Sequence, residues 1–324
     1  MSQNSGFAFF ILLLLSGAGI AFLGCLLPYC PPELYLGTTY TAYALEQGHT
    51  SYPAFVYHTL KNAYAPQTDA TQSVPEKTEK VFTQTETVDR KMIDLAEVPF
   101  KNETDYTINF KSDAENYVLP EKVTDKPQIL IVHTHATESF AGTDNRSTDD
   151  RLNMIAIGNV LVDALTDRGF SVLHDKTQHD YPNYNGSYAN SAKTVSSYLD
   201  KYPSLEIVLD LHRDGITLKD GTKVPLSLTT QNQSLAKMML VVGTDTNLEH
   251  PDWRKNLSFA AGLHAAAESV QPGIMRPVSI RKERFNQQLS PQSVIIEIGS
   301  NGNTLEEAKR SAYILAEAFS LYIK

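Results

Sequence analysis

The sequence predicts an α/β fold, a mainly parallel sheet covered by helices on both faces, and three observations carry that expectation. Short aliphatic runs, ILIV at 129–132, IVLDL at 207–211 and VIIEI at 294–298, recur through residues 127–324. Longer segments with apolar residues at helical spacing alternate with them. Helix caps and glycines mark the boundaries. A strand covered on both faces meets no water on either side, which is why such strands read as continuous apolar runs.

Taken in order, QILIVHT (128–134) is the first strand, and LNMIAIGNVLVDALTDRG (152–169) is a helix that stops at Gly169, a residue suited to a C-terminal cap. FSVLHD (170–175) is a second strand and SAKTVSSYLDKY (191–202) a second helix. LEIVLDLH (205–212) and AKMMLVVG (236–243) are the next strands, followed by the amphipathic helix WRKNLSFAAGLHAAAESV (253–270). SVIIEIGS (293–300) is a buried strand. The closing helix starts after Thr304, a side chain that can cap it, with Glu306 and Glu307 favourably placed in its first turn.

Upstream of Pro127 the composition changes. Gly6–Pro28 carries no charged side chain and is long enough to cross ~30 Å of hydrocarbon as a helix. Residues 1–30 therefore read as a single-pass transmembrane anchor, with a cleaved signal or lipid attachment at Cys25 as alternatives. No Lys or Arg flanks the run, so flanking charge does not orient it; its N-terminal, signal-like position places the body outside the cytoplasm. Residues 31–126 read as an extracytoplasmic linker, partly disordered, because 68–91 is rich in Thr, Gln and Glu and poor in large apolar residues. The apolar pieces MIDLAEV and NYVLP within 92–126 are expected to pack on the edge of the folded domain.

A formal net charge of −9, with no long basic block, argues against a nucleic-acid partner. The two cysteines, Cys25 and Cys30, both precede the folded body, which excludes a disulfide framework or a Cys-ligated zinc site there. A metal in the body must be held by His and carboxylate.

Ligand sites in such sheets lie beyond the C-terminal ends of the strands. Three strands end there in suitable residues: the first in His133, Thr134, His135 and Glu138, the third in Asp210, His212, Arg213 and Asp214, the late one in Glu297. A hydrolytic zinc site takes three His or carboxylate ligands and keeps a fourth position open. His135 and Glu138, three residues apart, with His212 from another strand, meet that need. His133 competes with His135 for the first position, because residues two apart along a strand share a face.

Glu297 sits in VIIEIG, where a carboxylate is costly unless paired or near a metal. It is placed to take a proton from attacking water and return it to a leaving nitrogen. A salt bridge to Arg213 is the structural alternative. Asp210 is suited to orient a ligand histidine from behind, and Arg213 and Asp214 to contact substrate. His174, His179, His250 and His264 read as surface groups or outer supports. The chain has neither a G-x-S-x-G nucleophile turn nor a phosphate-cradling glycine loop.

The run ILIVHTHATESF, the segments DYPNYNGSYANSAKTV and IVLDLHRDG, and the late SVIIEIGSNGNTLEEAKRSA together resemble the stage II sporulation protein P family over residues 128–322. That resemblance implies a membrane-anchored peptidoglycan hydrolase of spore-forming bacteria, similar to zinc-dependent N-acetylmuramoyl-L-alanine amidases. It implies an amidase-like fold, amidase and endopeptidase activity, and action during engulfment in the intermembrane space with stage II sporulation proteins D and M. It also implies Zn2+ at His135, Glu138 and His212, with Glu297 as the catalytic acid and base. The first His and Glu are closer together here than in the wider amidase family, which leaves Glu138 as ligand or substrate contact. A non-catalytic wall-binding scaffold and a zinc carboxypeptidase acting on stem peptides are the competing functions.

Overall fold

The computed structural model describes Ile11–Leu14 and Ala21–Gly24, then residues 94–114, 117–119, 121–231 and 233–324. The chain forms two compact units, Met1–Gln84 and Thr85–Lys324.

In the first unit, β1 (Ile11–Leu14) pairs antiparallel with β2 (Ala21–Gly24), with Ile11 opposite Gly24. This departs from the continuous helix expected across Gly6–Pro28. Short apolar runs suit a strand as well as a helix, and here their backbone groups pair across two segments instead of along one. Among the described residues, no helix is long and apolar enough to cross a membrane. The polar stretch 68–91 lies outside the described residues.

The second unit is built on one seven-stranded sheet. Its strands are β3 (Phe100–Asn102), β4 (Ile129–Val132), β5 (Val172–His174), β6 (Ile207–Asp214), β9 (Met238–Gly243), β10 (Val278–Arg281) and β11 (Gln292–Ser300). Their order across the sheet is β3-β10-β9-β11-β6-β4-β5. The strands β7 (Ser227–Thr229) and β8 (Ser234–Ala236) form a separate hairpin. Every neighbouring pair in the large sheet is parallel except β9 and β11.

That exception has a cause in the connection. No helix lies between β6 and β9, and a parallel return needs a long crossover. The chain turns back through the hairpin instead, so AKMMLVVG runs against its neighbour. As a result β4, β5, β6 and β11 end at one edge of the sheet, and β9, β10 and β3 at the other. Phe100–Asn102 extends the sheet as an edge strand, so the compact unit begins upstream of Pro127.

The helices are α1 (Phe110–Ala114), α2 (Met154–Asp167), α3 (Ser187–Lys201), α4 (Trp253–Val270) and α5 (Leu305–Tyr322). Asn153 caps α2 by accepting from Ile155 N, and Gly169 beyond its end has φ of +79°. Thr304 and Glu307 cap α5 reciprocally, as the Thr and Glu spacing predicts.

Strand alternation divides the side chains between two cores. Ile129, Ile131, Leu209, Leu211, Val294 and Ile296 face α2, α4 and α5 in the main core. Leu130, Val132 and Val208 face α3 with Val195 and Leu205. Both faces are covered, the second by α3 together with Leu289 from the short turn Gln287–Leu289. Each fully buried aliphatic side chain contributes about 1.5–3 kcal/mol relative to exposure.

Of the histidines expected as surface groups or outer supports, most are enclosed. His179 is buried, its Nδ1 2.9 Å from the His133 carbonyl and its Nε2 2.9 Å from Thr194 Oγ1. His250 contacts Asn256, and His264 is buried inside α4. His174 is half-buried and pairs with His133, Nε2 to Nε2, at 2.8 Å. One of these two nitrogens donates and the other accepts. The pair lies against Gly158 of α2, where an added Cβ would meet both rings at 2.5 and 2.8 Å. Burial thus favours the uncharged rings: it depresses the His133 pKa to about 4, and burial followed by His133 itself depresses that of His174.

The unfolded value near 6.5 lies above both, so this contribution is fully present above pH 6.5 and is lost as pH falls toward 4. His133 alone accounts for about 2 kcal/mol of lost stability between pH 7.5 and pH 5. Urea unfolding at the two pH values should show that loss, and His133→Gln should remove the share due to His133 while the buried His174 keeps its own.

Candidate metal centre

β4 ends at Val132, and the chain then turns through residues 134–137. Strand alternation stops with it, so His133 and His135 part company. His133 points toward α2 and His174, while its Nδ1 lies 3.2 Å from the Leu211 carbonyl. His135 points to the opposite side of the sheet. Of the two histidines it is therefore His135 that joins Glu138 and His212, while His133 contacts His174 and the Leu211 carbonyl.

On the α3 side, His135, Glu138 and His212 come together, each offering one ligand atom within 4.8 Å of the others. His135 Nδ1 is 3.6 Å from Glu138 Oε1, and His212 Nδ1 is 3.4 Å from Glu138 Oε2. Both imidazoles therefore turn the same ring atom toward one carboxylate. Their far nitrogens also have neighbours: His135 Nε2 is 3.1 Å from Ser187 Oγ, and His212 Nε2 is 3.0 Å from Asp210 Oδ1. The second contact is an ion pair lying off the N–H direction, since Nε2 makes no hydrogen bond among the described residues.

A histidine held through one nitrogen, with the other turned into a shared space beside a carboxylate, is the usual form of a metal ligand. The two imidazole nitrogens and one carboxylate suit zinc, which takes such ligands and leaves a further position open. These side chains fit the ion. The two Glu138 oxygens face the two rings, and Oε2 also accepts from Arg213 N at 3.1 Å, an arrangement consistent with a ligand role.

The electrostatics follow from that packing. Burial pushes the Glu138 carboxyl up, but the imidazoles of His135 and His212 outweigh it and hold the carboxyl far below the usual range. Burial opposes charge on His212, and Asp210 and Glu138 together overcome it and raise its pKa. Asp210 is held low, against its own burial, by His212 and the Thr134 donors.

Glu297 behaves in the opposite way. Parallel pairing of β11 with β6 places Glu297 beside His212 in register. Burial, reinforced by the nearby Glu138 and Asp214, pushes its carboxyl up to about 8 against the opposing pull of His212. One carboxyl oxygen, Oε2, is enclosed and has no hydrogen-bond partner among the described residues. Two carboxyls in one site with pKa values driven apart are the pattern of an acid/base residue beside a charged one.

The Arg213 and Asp214 side chains both have partners within the protein. The Arg213 guanidinium braces the preceding loop through the carbonyls of Ser139 and Asn145 at 2.8 and 2.7 Å. Asp214 pairs with Arg276 at 2.9 Å. Arg213 thus serves the site through its backbone N–H, and its side chain holds the loop that carries Glu138.

Sequence reasoning missed the aromatic wall. Tyr184 stacks on the His135 ring with centroids 4.6 Å apart, and Tyr188 meets the same ring edge-on at 5.6 Å. The Arg146 guanidinium lies 4.3 Å from the Tyr184 ring centre. Arg146 also bonds the buried carboxylate of Asp180. The tyrosine-rich run DYPNYNGSY leading into α3 was the available signal, and it reaches the site because Ser187 and Tyr188 open that helix.

The family model for stage II sporulation protein P matches residues 35–320. The chain belongs to this family. The match extends well upstream of the strand motifs, into the region without a recognisable motif of its own. Stage II sporulation protein P of Bacillus subtilis (strain 168) is 29% identical over 219 residues, covering 62% of this chain and 52% of that protein. The chain spans about half the length of that curated relative.

Among solved structures, an N-acetylmuramyl-L-alanine amidase from Mycobacterium smegmatis superposes with a TM-score of 0.38 at 13% identity, covering 62% of this chain and 98% of that one. An N-acetylmuramoyl-L-alanine amidase from Clostridium difficile 630 gives a TM-score of 0.39 at 15% identity, with 61% and 94% covered.

The purified chain should bind one zinc ion per molecule, measured by metal analysis and chelator competition. Alanine at His135, Glu138 or His212 should weaken binding beyond the about 10–100-fold expected from loss of an outer partner, whereas His174→Gln should leave it unchanged.

Proposed function

We propose that this member of the stage II sporulation protein P family is a zinc-dependent peptidoglycan hydrolase. It cleaves the amide bond between N-acetylmuramic acid and L-alanine, and also peptide cross-links, during engulfment. The observation that carries this reading is the joint presence of a three-ligand centre at His135, Glu138 and His212 and a neighbouring carboxyl, Glu297, whose proton is held near neutral pH. Family membership supplies the substrate class.

Zinc held by the three ligands would supply Lewis acidity toward the scissile carbonyl and toward water. Glu297 supplies the proton traffic. A carboxyl with a pKa near the working pH accepts a proton from attacking water and gives it to the departing nitrogen with little penalty in either direction. Asp210 and Ser187 hold the two ligand rings from behind, and the Arg213 N–H fixes Glu138. Tyr184, about half exposed beside His135, offers the substrate a flat apolar contact at the rim.

Membrane attachment outside the cytoplasm, alongside stage II sporulation proteins D and M, belongs to the same proposal. It rests on the uncharged run Gly6–Pro28 and on the family. Cell fractionation should find the full chain with membranes and a chain lacking residues 1–30 in the soluble fraction; equal distribution of the two would remove the N-terminal run from that role.

Hydrolysis is tested on purified peptidoglycan with products identified by mass spectrometry. The unmodified protein should release intact stem peptides from muramic acid. Glu297→Gln should lower that rate about 10²–10⁴-fold while retaining zinc. Loss of only a terminal residue from the stem would mark a carboxypeptidase instead. No product from zinc-loaded protein would leave the scaffold reading.

A further inference from the structure

Asn286 lies far from the three ligands in sequence and in a different part of the fold, yet a line of hydrogen bonds joins it to Asp210, the carboxylate that pairs with His212. Phe285 and Asn286 both adopt positive φ, 52° and 60°, in the loop between β10 and β11. That conformation is uncommon for residues other than glycine, and Asn tolerates it better than Phe. The turn seats Phe285 against Tyr188, with ring centroids 5.7 Å apart, and against the small apolar cluster of Met239, Val241 and Ile295. It also aims the Asn286 amide under the first turn of α3.

Asn286 Nδ2 is 2.7 Å from the Tyr188 carbonyl and 3.1 Å from Ser191 Oγ. Ser191 Oγ is 2.7 Å from Thr134 Oγ1. Thr134 Oγ1 is 2.6 Å from Asp210 Oδ2, and Thr134 N is 2.7 Å from Asp210 Oδ1. Asp210 Oδ1 is the oxygen that lies 3.0 Å from His212 Nε2. Thr134, Ser191 and Asp210 are all buried.

The directions of these bonds are determined by the inventory of protons. A carboxylate only accepts, so Thr134 gives its single hydroxyl proton to Asp210. Ser191 must then donate to Thr134. The Tyr188 carbonyl also only accepts, which orients the Asn286 amide with its NH2 inward and directs its second N–H to Ser191. From Asn286 through Ser191 and Thr134 the linking protons all point toward Asp210, and a chain polarised in one direction strengthens each of its bonds.

We propose that Asn286 is a positioning residue for the metal centre. Through Ser191 and Thr134 it fixes the Asp210 carboxylate that lies against His212 Nε2 and so holds the ring with Nδ1 facing Glu138. The strained backbone at 285–286 is retained because it delivers this amide. The inference rests on reading His135, Glu138 and His212 as a metal centre, and its test is arranged so that the two can fail separately.

The test uses the full chain carrying Asn286→Gly, which keeps the positive-φ backbone accessible and removes the donors, with Ser191→Ala as an independent break in the same chain. Asp210→Asn is the reference for complete loss of support. Two quantities are read: zinc affinity by chelator competition, and the His212 Nε2–H resonance of the metal-free protein labelled with 15N-histidine.

Asn286→Gly and Ser191→Ala should each weaken zinc by about 3–30-fold, the size of an effect transmitted through a network, against about 10–100-fold for Asp210→Asn. Both should also move the His212 resonance toward that of a free imidazole and leave His264 unmoved. Unchanged affinity and an unchanged His212 resonance in both variants, with Asp210→Asn altering them, would overturn the proposal. If Asn286→Gly does not fold, Ser191→Ala decides alone. Should the unmodified chain take up no zinc, the metal reading fails while the resonance still decides whether Asn286 positions His212.

Discussion

The buried carboxylate of Glu138 is the constraint around which the site is organised. An ionised carboxyl taken out of water must be surrounded by donors or cations, or it takes up a proton instead. Here three groups surround it: the imidazoles of His135, three residues before it, and His212, near the end of β6, and the backbone N–H of Arg213, which donates to it. Each of those groups is fixed in turn. Ser187 meets His135, Asp210 meets His212, and the Arg213 guanidinium ties down the loop from Ser139 to Asn145. One burial cost therefore propagates into the order of two strand ends, one loop and the start of α3.

The same packing separates two glutamates that are chemically identical in solution. Glu138 is surrounded by imidazoles and stays charged. Glu297 sits on β11 with one oxygen enclosed and without a hydrogen-bond partner among the described residues, next to a charge of its own sign, and holds its proton to about 8. A small difference of position, between the segment after β4 and the adjacent face of β11, thus gives the two carboxyls opposite charge states. The pairing that creates it is the parallel register of Glu297 with His212. A shift of one residue would turn Glu297 into the main core, because side chains alternate between the faces of a strand.

The reversed direction of β9 has a structural consequence. It leaves four parallel strands with their C-terminal ends at one edge, and all the ligand-bearing segments come from that block. The hairpin of β7 and β8 replaces a crossover helix and thereby sets this division. On the α3 face, the loop with Phe285 and Asn286 covers the strands that α3 does not reach.

Much of this was legible in the sequence. The aliphatic runs marked the buried strands because a strand covered on both faces cannot afford polar residues, and the Thr304 and Glu307 pair marked the start of the last helix. His135, Glu138, His212 and Glu297 stood out as polar residues at the ends of such runs. The separation of His133 from His135 was not legible, because it depends on β4 stopping at Val132, after which alternation no longer applies. Nor were the tasks of Arg213 and Asp214, which are decided by partners distant in the chain, at Ser139, Asn145 and Arg276. The sequence by itself determined which residue types end which strands, since local periodicity and capping are properties of neighbouring residues. Tertiary structure alone decided strand direction, the outer partners of each ligand ring and the opposed charge states of the two glutamates, since those depend on contacts between segments far apart along the chain.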